Sequence, residues 1–199
     1  MDIEVISIKQ VLRFSILSII ILAFITSVSL FKNRASVSLC SEQSQLTIVI
    51  ENELHEHLLI SNASVKNILD CLGRSMPFYT RTITYAHIDH SSKLSDVSKR
   101  YQIQNVALPK EFSQFVIASK EPNLYSVSHG SEKILVYTRP PSSPFSLLKE
   151  LQGSSTTVYM PQNLPKEQGV LEKMIKVTGE RIKVLKNGTF YRSNGLLRS

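Results

Sequence analysis

The chain has 199 residues, a formal net charge of +7 and only seven glycines, and it contains neither a G-x-G-x-x-G fingerprint nor a P-loop. Enzymes that depend on these glycine-rich phosphate cradles are therefore excluded. The basic excess lies late in the chain, where residues 166–199 contain eight lysines or arginines against three glutamates. Because the basic residues are scattered and match no nucleic-acid-binding motif, we expect no nucleic-acid partner. The basic face is either an ordinary solvated surface or a contact for an anionic lipid or an acidic protein surface.

An uncharged apolar run near the start predicts a membrane anchor. From Phe14 to Phe31, 18 consecutive residues carry no charge. As a helix rising about 1.5 Å per residue they would span about 27 Å, close to the hydrocarbon thickness of a bilayer. We therefore predict a transmembrane signal-anchor helix over residues 11–31. A signal peptide cleaved at the small-x-small sequence Ser27-Val28-Ser29 is the open alternative.

The anchor also predicts a location. Residues 1–10 form a short tail, and such a tail before a single anchor usually stays inside the cell. The C-terminal part is then the extracytoplasmic, for example periplasmic, domain of a single-pass cell-membrane protein. Residues 32–44 are polar and rich in serine, which is typical of a stalk between anchor and domain.

The rest of the chain predicts an α/β (or α+β) fold with a small mixed sheet, arranged as one domain or as two lobes. The first lobe covers residues 45–125. Its predicted elements are a strand at 45–51, a helix from Ser61 or Asn62 to Gly73, a strand at 80–88, a helix at 93–101 and an amphipathic helix opened by Pro109.

The second lobe covers residues 132–199 and has the predicted order βαβαββ. Its predicted elements are strands at 132–139 and 155–160, helices at 144–152 and 165–179, and two strands at 181–185 and 189–193. The sequence Lys186-Asn187-Gly188 between these last strands is typical of a tight turn. We therefore predict that they form a β-hairpin.

The two cysteines, Cys40 and Cys71, both follow the predicted anchor. An even number of cysteines in an oxidising compartment permits one disulfide. Two free thiols are the alternative.

Two histidine-containing segments are the best candidates for a metal site. The first contains His55 and His57, and the second contains His87, Asp89 and His90. Neither spacing belongs to a specific zinc or copper motif, so we predict no metal and no other cofactor. No G-x-S-x-G elbow is present either. We do not expect an enzyme, and a membrane-anchored metal hydrolase or transferase is the alternative.

The sequence therefore predicts a subunit of a membrane complex, acting in assembly, secretion, division or regulation, whose extracytoplasmic domain binds a protein partner. We place the contact in the C-terminal hairpin, because a free edge strand can accept a partner strand. The residues assigned to this contact are Lys183, Lys186, Phe190, Tyr191 and Arg192. The alternative is a small-molecule binder in which Ser142 and Ser143, at a helix start, hold an anion.

Overall fold

The computed structural model of the protein describes residues 15–22, 35–76, 79–140, 156–162 and 182–194. Contacts between residues divide the chain into two compact units, Met1–Arg34 and Ala35–Ser199. In the first unit, residues 15–22 form helix α1. Large apolar side chains of this helix are exposed, among them those of Ile16, Ile19 and Leu22.

The predicted membrane anchor is contradicted by the structure. Within the described ranges, the chain forms no helix that is both long enough and apolar enough to cross a membrane. The predictions of a transmembrane helix over residues 11–31, of a single-pass membrane protein and of an extracytoplasmic location are corrected accordingly.

The second unit is built on two mixed β-sheets. The strands in its described residues are β1 Ser36–Glu42, β2 Gln45–Glu51, β3 His57–Ser61, β4 Thr82–Ile88, β5 Gln102–Asn105, β6 Glu111–Phe112, β7 Phe115–Glu121, β8 Leu124–His129, β9 Glu132–Tyr137, β10 Thr157–Pro161, β11 Ile182–Leu185 and β12 Phe190–Asn194. Sheet A has the strand order β12-β1-β2-β3-β4-β5, and sheet B has the order β11-β10-β9-β8-β7-β6.

The two sheets repeat one pairing pattern. In sheet A the strands from β12 to β3 are antiparallel neighbours, while β3, β4 and β5 are parallel. In sheet B the strands from β6 to β9 are antiparallel, while β9, β10 and β11 are parallel. Parallel neighbours need a crossover connection. In sheet A these crossovers contain helix α2, Val65–Ser75, and helix α3, Ser91–Ser98.

The equivalent connections of sheet B run through residues 141–155 and 163–181, which lie outside the described residues. The predicted helices at 144–152 and 165–179 fall there, and so do the candidate anion-binding residues Ser142 and Ser143. The described part is a mixed α/β arrangement, as the residue patterns predict, but it has two sheets instead of one small sheet.

Both faces of sheet A are covered. Along β2, Ile48 and Ile50 face sheet B, whereas Val49 between them faces the helices. The largest apolar cluster fills the space between the sheets, and a second one packs α2 and α3 onto sheet A. A third cluster lies on the opposite face of sheet B and includes Leu135, Val158 and Met160. This double coverage explains why β2 is a continuous apolar run.

Helix α2 has the predicted amphipathic pattern but starts later than expected. The side chain of Ser64 accepts a hydrogen bond from the backbone N–H of Asn67 at 3.3 Å, which makes Ser64 the N-cap. Ile68 and Leu72 face the sheet. A disulfide joins Cys71 of α2 to Cys40 of β1, with a Cα–Cα distance of 5.8 Å. The bridge therefore fastens the first crossover helix to the sheet below it.

Part of the predicted stalk is a buried strand. Residues 36–42 form β1, the strand between β12 and β2 in sheet A. Val37 and Leu39 point into the core between the sheets, and serines alternate with them on the other face. This period of two is a strand signal that the polar composition of residues 32–44 concealed.

The amphipathic helix predicted from Pro109 is wrong, because this segment is a β-hairpin. Phe112 ends β6 and Phe115 begins β7, and the two lie opposite each other across a tight turn. Ser113 in the turn has a φ of 57°, which is incompatible with an α-helix. Both phenylalanines reach the core between the sheets. Their spacing of three, which imitates a helix face, reflects this turn.

The C-terminal hairpin prediction is also wrong. Strand β11 pairs with β10 in sheet B, and β12 pairs with β1 in sheet A. The Asn-Gly turn is present, with Gly188 at a φ of 76°, but it carries the chain from one sheet to the other. Backbone bonds attach it to β1: Gly188 N–H donates to the carbonyl oxygen of Ser41 at 2.8 Å, and Ser41 N–H donates to that of Thr189 at 3.0 Å.

The two sheets do not follow the predicted boundary between lobes. Strand β7, from the predicted first lobe, pairs with β8, and β8 pairs with β9 of the predicted second lobe in sheet B. Strand β12, from the predicted second lobe, completes sheet A. The residues from Ala35 to Ser199 accordingly form one compact unit.

Candidate functional site

Strand β12 is an edge of sheet A, and its pairing register determines which of its backbone groups face outward. Cys40 lies opposite Phe190, and Leu39 lies opposite Tyr191. In the same register, Ser41 donates its N–H to Thr189. Hydrogen-bonded and non-bonded pairs alternate in an antiparallel ladder. Tyr191 is therefore bonded to β1, whereas the N–H and C=O groups of Phe190 and Arg192 point away from the sheet.

The side chains assigned to partner binding do not form one patch. Lys183 and Lys186 are exposed, but Lys183 lies on β11, the edge of sheet B. Tyr191 packs against the core between the sheets, with its ring centroid 5.3 Å from that of Tyr159. Phe190 is half-buried. Among the described residues, the unpaired feature of this region is thus the outward-facing backbone of the β12 edge, with two lysines beside it.

Arg192 is held by an ion pair inside the protein. Its Nη2 atom donates to Glu51 Oε2 at 2.8 Å and to Ser36 Oγ at 3.3 Å. Its Nη1 atom donates to the backbone oxygen of Ser75, at the end of α2, at 3.3 Å. The Glu51 side chain is only 8% exposed. Arg192 therefore fixes β12 onto β2 and α2, and its 38% exposed side chain is already engaged inside the protein.

Two of the candidate metal ligands meet at this ion pair. His55 Nδ1 lies 2.8 Å from Glu51 Oε1, and His57 Nε2 lies 4.0 Å from the same atom. His57 is buried, and neither of its ring nitrogens has a hydrogen-bond partner in the described residues. Burial lowers the pKa of His57 below its ordinary value of 6.5; the Glu51 carboxylate opposes this shift, and His55 and Arg192 reinforce it. We expect this ring to be neutral at pH 7.

The other histidine segment lies on the opposite face of sheet A. His57 begins β3 and faces the helices, as does Leu59 two residues later. His87 lies opposite Ile60, about 10 Å further along the sheet, and contacts Tyr125 of sheet B with ring centroids 5.9 Å apart. The structure therefore does not combine the two histidine segments into one site.

Asp89 is the centre of a separate polar cluster where β4 ends. Lys93 Nζ donates to Asp89 Oδ1 at 3.0 Å and to the backbone oxygen of Asn62 at 2.8 Å. Arg139 Nη2 lies 3.6 Å from Asp89 Oδ2. Asn62, which follows β3, is buried and within hydrogen-bond distance of Asn123 and Thr138 of sheet B. The cluster joins the two sheets at the ends of β3, β4 and β9.

Comparison with known proteins gives a likeness in fold. No protein-family model matches the chain, and no curated protein matches its sequence. Among solved structures, the chain is similar to the crystal structure of the metallo-beta-lactamase fold protein YhfI from Bacillus subtilis, with a TM-score of 0.50 and 9% sequence identity. The match covers 80% of this chain and 100% of that one. At this identity the likeness concerns the fold alone.

The name of that fold refers to a metal, and the residues that the structure describes do not fit one. Among the ranges that the structure describes, no group of three or more His, Cys, Asp or Glu side chains is placed to hold a metal ion. At the end of β4, the Asp89 carboxylate is already neutralised by Lys93 and Arg139. At the start of β3, Glu51 is paired with Arg192. Cations of the protein thus occupy the positions around both carboxylates.

Sequence reasoning missed Glu51, the group around which Arg192 and both early histidines gather. No local signal points to it, because Arg192 lies 141 residues away. The alternation of His55 and His57 beyond a buried strand was the only hint. The two histidines do lie near each other, but beside the Glu51 carboxylate and not around a metal.

Proposed function

We propose that this protein binds a protein partner, as a subunit of a larger assembly, by accepting an extended segment along strand β12. The observation that carries the proposal is the set of outward-facing N–H and C=O groups at Phe190 and Arg192 on an edge of sheet A. Such groups form ladder hydrogen bonds with an added strand. In the described residues, β12 pairs with β1 alone.

Charge beside this edge favours an acidic partner segment. Lys186 precedes β12 in the inter-sheet turn, and Lys183 lies on the neighbouring edge of sheet B. Both side chains are exposed, and neither has a carboxylate within ion-pair distance in the described residues. Positive charge of this kind steers association and fixes orientation more than it adds affinity.

The proposal requires the backbone, so the test removes one backbone donor. Phe190→Pro deletes an outward N–H, and proline is tolerated on an edge strand when its missing N–H faces away from the sheet. Phe190→Ala is the matched control, because it removes the same side chain and keeps the N–H. We expect Phe190→Pro to abolish partner binding and Phe190→Ala to retain it, with circular dichroism unchanged in both.

Binding would be followed by photo-crosslinking in cells from a benzoylphenylalanine placed at Lys186, with position Lys120 on β7 as the distant control. The proposal expects a crosslink to one acidic segment from position 186 that disappears in the Phe190→Pro background. An undiminished crosslink in that background, or equal crosslinking from position 120, would show that β12 is not the contact.

A further inference from the structure

A cavity of about 390 Å³ opens at the other side of sheet A, where α2 and α3 both end and where β4 and β5 begin. Its volume lies in the range of small-molecule sites, which runs from about 300 to 1,000 Å³. It is distant in the sheet order from β12, because β5 and β12 are the two opposite edges of sheet A. The residues that line it are Gly73, Met76, Thr80, Arg81, Lys99, Arg100 and Tyr101.

The charge of this cavity has one sign. Three cationic residues are among the described residues that line it, and no Asp or Glu is among them. Lys99 pairs with Asp96, which is outside the lining, at 2.6 Å, and both side chains are largely exposed. Arg81 and Arg100 have no carboxylate within ion-pair distance in the part of the chain that the structure describes. Two solvent-exposed arginines thus line one cavity without a counter-ion from these residues.

The backbone holds these cations in place. Gln102 N–H donates to the carbonyl oxygen of Arg81 at 2.7 Å, which fixes the start of β4 beside the start of β5. Arg100 and Tyr101 both donate their N–H groups to the carbonyl oxygen of Val97 at 3.0 Å. The Tyr101 ring packs partly against the apolar cluster beneath the helices. The backbone of the lining residues is therefore fixed by hydrogen bonds, while their long side chains can change rotamer.

If these cations only stabilised the helix ends, their removal would have a different effect from the loss of a ligand site. Positive charge near the C-terminus of a helix stabilises it through the helix dipole, and α2 and α3 end at Ser75 and Ser98 beside the cavity. In that case removal of the cations lowers the stability of the protein and affects no ligand. The two roles can be separated by measuring ligand binding and thermal stability on the same variants.

We propose that this cavity binds the phosphate group of a small phosphorylated ligand. Arginine matches phosphate oxygens with paired N–H donors, and Arg81 and Arg100 supply two such groups. Lys99 adds a point charge, and the Thr80 hydroxyl is a further donor from the lining. A phosphate has five heavy atoms and leaves much of this volume empty. The Tyr101 ring provides an apolar wall for the organic part of the ligand.

The test is isothermal titration of the full chain with AMP, with adenosine and with inorganic phosphate. We expect AMP to bind, phosphate to bind more weakly and adenosine not to bind. The double variant Arg81→Gln/Arg100→Gln should weaken AMP binding about a hundredfold, because each charge-assisted hydrogen bond contributes roughly tenfold. The control Lys110→Gln/Lys120→Gln removes the same charge from exposed positions elsewhere and should leave binding unchanged.

Four results would overturn the proposal. Absence of AMP and phosphate binding would do so, as would equal loss in the control variant. A lower melting temperature of the unliganded Arg81→Gln/Arg100→Gln variant without any change in binding would assign these residues to the helix ends. Binding to phosphatidylcholine vesicles doped with phosphatidic acid, but not to AMP, would place the phosphate on a lipid and overturn the assignment to a soluble ligand. None of these outcomes bears on strand addition at β12.

Discussion

Glu51 and Arg192 form an ion pair at 2.8 Å although 141 residues separate them in the chain. The pair connects β2 to the edge strand β12, and Arg192 also bonds to the end of α2 at Ser75. Three elements that come from the two ends of the folded unit are thus joined through one guanidinium group. This arrangement makes the ion pair a determinant of both stability and the geometry of the β12 edge.

We expect Arg192→Ala to lower the free energy of unfolding by about 2 kcal/mol, because it leaves a nearly buried carboxylate without its partner. The measurement is urea denaturation followed by circular dichroism. Asp96 and Lys99 form an exposed pair at 2.6 Å that serves as the control, and Lys99→Ala should cost less than about 1 kcal/mol. Equal effects of the two substitutions would mean that burial of Glu51 does not matter.

The stability of the protein should fall as the pH drops below about 6.5. The folded-state pKa of His57 is lowered, so the unfolded chain binds more protons between that value and 6.5, and acid favours unfolding. One proton changes the free energy of unfolding by at most about 1.4 kcal/mol per pH unit. Urea denaturation from about pH 7.5 to 5.5 measures this slope.

His57→Leu should remove most of that slope. The residues that face His57 with charge are Glu51, His55 and Arg192, and they remain in this variant. The control is His90→Asn, which alters an exposed histidine beside Asp89 and should keep the slope. A wild-type slope that survives in His57→Leu would assign the acid sensitivity to another group.

The disulfide should contribute substantially to stability. The double variant Cys40→Ser/Cys71→Ser opens a bridge across 31 residues, and in the chain-entropy model this costs about 3–4 kcal/mol. Urea denaturation of the variant, compared with wild-type protein in reductant, measures the loss. The two samples should agree, and a double variant as stable as the oxidised protein would contradict the prediction.

Two glycines should respond to alanine in opposite directions. Gly188 has a φ of 76° with open space around its Cα, so Gly188→Ala introduces backbone strain alone and should cost about 1 kcal/mol. Gly73 lies within α2, also with open space around it. Gly73→Ala should raise the free energy of unfolding by about 0.5–1 kcal/mol. Thermal denaturation of both variants measures the direction of each change in stability. Changes in the same direction would contradict the prediction.

Individual strands and helices were predictable where the residue pattern of one short segment was sufficient. The β-branched run of β2 and the amphipathic pattern of α2 needed no partner to be recognised, and both are present within a few residues of the predicted bounds. The predicted contact region contains β12, which is an edge strand of sheet A. The predicted N-terminal membrane anchor was wrong, because within the described ranges no helix is both long enough and apolar enough to cross a membrane.

The pairing of elements was not predictable in the same way. The Asn-Gly turn has the composition of a hairpin turn, and only the register of β12 on β1 shows that it connects two sheets. Glu51 and Arg192 each look like a solvated charge in their own segments. The basic residues of the cavity come from the start of β4 and from the turn after α3, so no spacing in the sequence brings Arg81 near Arg100.

The pairing of β1 with β12 can form only after residues 190–194 have been synthesised. A ribosome completes β1 long before it reaches residues 190–194, and one side of β1 remains an unpaired strand edge during that interval. Such edges recruit strands from other chains. The pairing also closes a very long loop, which slows folding. Release of the nascent chain, and any chaperone that shields β1 until then, should therefore control the yield of correctly folded protein.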